Sequence, residues 1–69
     1  MSNTKKEIGA ILRTARKKRG LTQIELANQI NTNQVTIRTI ERGMANPTLE
    51  KLLAISKKLN VQIFNLNGK

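Results

Sequence analysis

The chain has 69 residues, 13 of them Lys or Arg against four acidic residues, and a formal charge of +9. That length holds one domain (residues 1–69) near the lower limit of a self-sufficient core, and the charge points to an acidic partner, nucleic acid before an anionic membrane surface. Without Cys or His there is no disulfide framework and no thiolate or imidazole metal site, and no apolar run approaches the roughly 18 residues needed to span a membrane.

In chain order, residues 1–4 read as a frayed lead, with Lys5 and Lys6 opening a mixed segment rather than the apolar core of a signal peptide. Glu7 to Arg19 reads as a first helix with Ile8, Ile11, Leu12 and Ala15 on its buried stripe. Arg13, Arg16, Lys17, Lys18 and Arg19 crowd its last turns, where cations suit the negative end of the helix dipole, and Gly20 stops it. A solvated helix end accounts for that cluster as well as any specific role does.

Thr22 to Glu41 is the part around which the rest is organised. Thr22 followed by Glu25 is a capping box, the hydroxyl accepting from the Glu25 amide while the carboxylate reaches back. Leu26, Ala27 and Ile30 share one face of the helix that follows, and Asn31 is a residue type that tolerates the left-handed conformation of a tight turn. Asn33 caps a further helix through Val35, Ile37 and Ile40 that stops near Gly43, with small Ala27 at the crossing. Two short helices joined this way form a helix-turn-helix. Arg42 to Thr48 is a loop in which Pro47 forces extended geometry on Asn46, and Thr48 caps a fourth helix with Leu49, Leu52, Leu53, Ile55 and Leu59 facing inward.

The stretch LTQIELANQINTNQVTIRTIERG, with Asn46-Pro47-Thr48-Leu49 after it, resembles the phage repressor and Cro type of DNA-binding domain, the Xre-like helix-turn-helix family. The resemblance covers Ile8 to about Val61 and implies an all-α, lambda-repressor-like domain of four helices, with a tail that forms either a fifth helix or a short strand. It implies that Arg16 and Glu41 form a partly buried ion pair tying the first helix to the third, an architectural role. It also places the loop beside the DNA backbone, making Arg42 and Asn46 phosphate contacts.

The third helix of such a motif enters the major groove with its first turn leading. Gln34 is then the best base reader, because its amide matches adenine N6 and N7. Val35 offers a surface for a thymine methyl group, Arg38 reaches a guanine or a phosphate depending on tilt, and Thr39 is a shorter candidate. An ordinary wet helix face is the alternative for Gln34 and Arg38. Gln23, whose amide lies beside free N–H groups at a helix start, is a phosphate candidate together with Asn33 and Thr36. Ile24 departs from the polar residue usual at its position: it is a single exposed apolar side chain or part of a protein contact.

The tail, residues 61–69, alternates Val61 and Ile63 with Phe64 and Leu66 and has no acidic residue, a pattern favouring a strand. A lone strand leaves an unpaired edge, and pairing with the same strand of a second copy satisfies it, so Val61, Ile63, Phe64 and Leu66 are the expected dimer contacts. This tail resembles that of HipB-type antitoxins, and a fifth helix packing on its own subunit is the competing expectation.

No cluster of acids, bases or nucleophiles converges and no glycine-rich phosphate loop follows a strand, so neither enzymatic activity nor a cofactor is expected. The expected function is that of a cytoplasmic, nucleoid-associated homodimer repressing a palindromic operator on double-stranded DNA, as the autorepressor and antitoxin of a toxin–antitoxin operon with a toxin protein as partner. The alternative is a Cro-like phage or restriction-modification control regulator without a toxin.

Overall fold

Residues 4–62 are described by the structure, a computed structural model. Four helices follow in order: α1 (Lys5–Lys18), α2 (Gln23–Gln29), α3 (Gln34–Glu41) and α4 (Leu49–Leu59). The all-α, four-helix expectation holds, and no strand occurs among the described residues. Ile63, Phe64 and Leu66, expected in the tail strand, lie outside them.

Local chemistry sets where each helix begins and ends. Thr4, Thr22, Asn33 and Thr48 are the N-caps, each with a side-chain oxygen accepting from the amide three residues on. At the other ends, Gly20, Asn31, Gly43 and Asn60 take positive φ. Leu21, Thr32, Met44 and Val61 then donate their amides to Arg16, Ala27, Thr39 and Ser56 carbonyls at 2.8–3.2 Å. This reach across the last turn satisfies carbonyls that a helix end leaves orphaned.

Two expectations are corrected here. The helix expected from Glu7 to Arg19 runs Lys5–Lys18 instead, and Thr4 is its cap rather than part of a frayed lead. The cause is a second capping box, in which the Glu7 amide donates to Thr4 Oγ1 at 3.1 Å and the Thr4 amide donates to Glu7 Oε1 at 2.8 Å. On α4, Leu49 and Leu53 face outward, 60% and 42% exposed. The buried stripe is Leu52, Ile55, Ser56 and Leu59, at successive steps of three, one and three residues; one stripe of that width is all a helix packed mainly on α1 can bury.

The core gathers one stripe from each helix: Ile8 and Leu12, Leu26 and Ala27, Ile37 and Ile40, then Leu52, Ile55 and Leu59. Ile11, Ala15, Ile30 and Val61 are half-buried against its edge. Ala27 is fully buried at the α2–α3 crossing. Close approach of α1 to the end of α3 depends on two glycines. A Cβ on Gly9 would stand 2.7 Å from the Glu41 carbonyl oxygen and nearer still to that of Ile40, and a Cβ on Gly43 would stand 2.7 Å from Lys6 Cα.

Candidate nucleic-acid interface

The interface is built on a buried ion pair. Arg16 and Glu41 have side chains only 9% and 3% exposed, and the guanidinium meets the carboxylate with two bonds, Nε to Oε2 at 2.6 Å and Nη2 to Oε1 at 3.1 Å. Arg16 Nη1 also donates to the Leu21 carbonyl at 2.7 Å, just before α2 begins. A paired, fork-shaped contact of this kind fixes orientation as well as distance. One side chain of α1 therefore holds the start of α2 and the end of α3 together.

The network continues outward to the surface. Gln23 Nε2 donates to Glu41 Oε1 at 3.1 Å, and Gln23 Oε1 accepts from Gln34 Nε2 at 3.4 Å. The two residues expected on phosphate and base are thus side by side, both leading from the ion pair. Gln34, Val35 and Arg38 are exposed on one side of α3, while Ile37, Ile40 and Glu41 are buried on the other. Gln34 and Arg38, four residues apart, are neighbours on the helix surface, and Val35 borders them on the same exposed side.

Other expected contacts are placed less freely. Asn33 Oδ1 accepts from both the amide and the hydroxyl of Thr36, at 2.9 and 3.0 Å, so the Asn33 amide group is the part left to meet a phosphate. With its proton on Asn33, the Thr36 hydroxyl has none to give to a phosphate, whose oxygens only accept. Thr39 is half-buried, and its hydroxyl points back to the carbonyls of Val35 and Thr36 at 2.9 and 3.0 Å. Asn46 Oδ1 accepts from Lys5 Nζ at 2.6 Å, which leaves its amide free. Arg42 is exposed and lies apart from Gln34, facing α1 across a groove lined also by Lys6, Arg13 and Lys17. That row was not singled out from the sequence as a group, although the spacing of 6, 10, 13 and 17 marks one helical face.

Few carboxylates stand against the cations of this chain. Of the four acidic residues, Glu7 and Glu25 are engaged in capping boxes and Glu41 in the ion pair. Only Glu50, in the first turn of α4, remains. Among the described residues no cluster of acidic side chains could hold a metal ion, and no helix is long and apolar enough to cross a membrane.

With this geometry in view, the similarities to known proteins are consistent. A helix-turn-helix family profile matches residues 12–66. The chain belongs to the Xre-like helix-turn-helix family. It is 34% identical over 62 residues to the immunity repressor of Bacillus phage phi105, a match covering 90% of this chain and 43% of the repressor, so it spans less than half of that relative. An uncharacterized helix-turn-helix transcriptional regulator from Archaeoglobus fulgidus is 36% identical over 80% of this chain and 79% of its own length. Among solved structures, the restriction-modification controller C.Esp1396I, a tetramer on its natural 35-base-pair operator, superposes with a TM-score of 0.77 at 31% identity, covering 90% of this chain and 82% of that one. HipB in complex with the O2 20-mer superposes with a TM-score of 0.79 at 26% identity, covering 100% and 96%.

Proposed function

We propose that this helix-turn-helix protein is a sequence-specific DNA-binding repressor that acts as a homodimer on an inverted-repeat operator. The observation that carries this reading is the exposed face of α3, with Gln34, Val35 and Arg38 backed by the Arg16–Glu41–Gln23 network. Gln34 reads adenine, Arg38 guanine or a neighbouring phosphate, and Val35 a thymine methyl group. Gln23, Asn33, Arg42 and Asn46 set register through phosphates, which carry no base identity. Thr36 joins them only when its hydroxyl turns away from Asn33, and Thr39 only when it leaves its backbone carbonyls.

A two-fold axis through the tail, with Val61, Ile63, Phe64 and Leu66 meeting their counterparts, presents two copies of α3 to half-sites about 34 Å apart. Within its own subunit, Val61 is half-buried against the core. Similarity to an operator-bound controller and to DNA-bound HipB supports the DNA reading. The nearly complete mutual coverage with HipB supports an antitoxin role, in which the protein represses its own operon and binds the toxin. The controller similarity, at higher identity, supports a regulator without a toxin. Co-expression with the product of the adjacent reading frame separates the two, since a stable complex is expected only for the antitoxin.

The test of the main reading is a titration of the duplex upstream of the chain's own coding sequence against a scrambled duplex of equal composition. At least a tenfold preference is expected. Equal binding to both would reduce the protein to a nonspecific basic domain.

A further inference from the structure

The open groove between α1 and the C-terminal end of α3 has a volume of about 620 Å³, and four of its lining residues are cations. Lys6, Arg13 and Lys17 stand on one face of α1, with the small side chains of Ala10 and Thr14 between them, and Arg42 faces them from the end of α3. The one carboxylate in the lining, Glu41, is already occupied by Arg16 and Gln23. None of the four side chains has a hydrogen bond or ion pair among the described residues. Lys5, the neighbour of Lys6, does have one, to Asn46.

This arrangement is built into the packing. Gly9 and Gly43 bring α1 against the end of α3 more closely than a Cβ at either position would permit. Lys6 also stands in the first turn of α1, where the helix dipole disfavours a cation. Cations gathered there without a carboxylate partner raise the local positive potential, which an extended polyanion lowers. From Lys6 to Lys17 the row runs about 16 Å along the helix axis. A single small anion fills only part of such a row, whereas one strand of a duplex places a phosphate about every 3.4 Å of its axis.

We propose that this groove is a second DNA contact, a sequence-independent cradle for the sugar–phosphate backbone in which Lys6, Arg13 and Lys17 act together with Arg42. The inference rests on the DNA-binding reading of α3 and extends the footprint beyond the recognition helix. Its contribution is the same for every sequence, so it adds to affinity and salt dependence without altering base preference.

The experiment is fluorescence anisotropy on the full chain with two labelled duplexes, one of arbitrary sequence and one from upstream of its own coding sequence, between 50 and 200 mM salt. The double variant Arg13→Gln with Lys17→Gln removes two groove cations and leaves the ion pair and both glycines in place. Lys57→Gln with Lys58→Gln, at the far end of α4 and outside the groove, changes the net charge equally. The slope of log affinity against log salt should become shallower in the groove variant by about 0.9 for each phosphate no longer neutralised, on both duplexes, with the ratio between them unchanged. The control pair should keep the wild-type slope, and thermal melts should show all three proteins folded. A groove variant with the wild-type slope overturns the cradle while leaving α3 as reader, and so does an equal change in both variants, which would mean net charge alone. Wild-type protein that binds neither duplex overturns the reading of α3 and the cradle with it.

Discussion

The α2–α3 pair and α4 are built from similar apolar residues and packed differently. At the crossing of α2 with α3, Leu26, Ala27, Ile37 and Ile40 are at most 3% exposed. On α4, Leu52, Ile55 and Leu59 are buried while Leu49 and Leu53 remain outside. Apolar spacing reports a helix face, and burial of that face requires a neighbour to cover it. α3 is covered from both sides, by α2 and by α1, and α4 carries more leucine than its packing on α1 can cover. α3 thus packs against two helices, and α4 mainly against one.

The largest expected effect comes from the ion pair that fixes this part. Arg16→Ala strands a buried carboxylate, and urea denaturation should show a loss of about 3–5 kcal/mol. Retention of wild-type stability would mean that Glu41 finds another partner or leaves the interior. Next, the same Leu→Ala change made on the two sides of the comparison should separate them. Leu26→Ala should cost about 2–5 kcal/mol, whereas Leu53→Ala should stay within about 0.5 kcal/mol. Equal losses would show that α4 is covered in solution by something the single chain does not contain. Gly9→Ala forces α1 off the end of α3, and a loss of about 1–3 kcal/mol is expected in spite of the better helix propensity of Ala. Smallest is the cap: Thr22→Ala should lower stability by about 1 kcal/mol by leaving the Glu25 amide without its acceptor.

What was legible in the sequence was local chemistry. The Thr22–Glu25 box, the cap at Asn33 and the left-handed turn at Asn31 each involve residues within a few positions of one another, and each is found as read. The Thr4–Glu7 box carries the same signature as Thr22–Glu25, but Lys5 and Lys6 stand inside it where Ile24 stands in the other, so no apolar residue draws attention to it. The donation from Gln23 to Glu41 joins residues 18 apart, so no pattern within one helix announces it. Gly9 looks like a weakness in α1 until the carbonyls of Ile40 and Glu41 are placed beside it. The outward turn of Leu49 and Leu53 has a similar cause, because the extent of a buried stripe depends on the neighbouring helix. On α3 the motif points to Gln34, Val35 and Arg38, and all three are exposed, whereas the engagement of the Thr36 and Thr39 hydroxyls appears only with the hydrogen bonds in view.

The central claim is that α3 reads bases through Gln34 while Gln23 and its neighbours hold the backbone. It is tested most directly by titrating wild-type protein and Gln34→Ala against a panel of operator duplexes substituted one base pair at a time. Gln34→Ala should lose about 1–3 kcal/mol on the preferred operator and cease to discriminate at one position in each half-site, with the other positions unaffected. Unchanged affinity and discrimination across the whole panel would contradict the docking of α3 in the major groove.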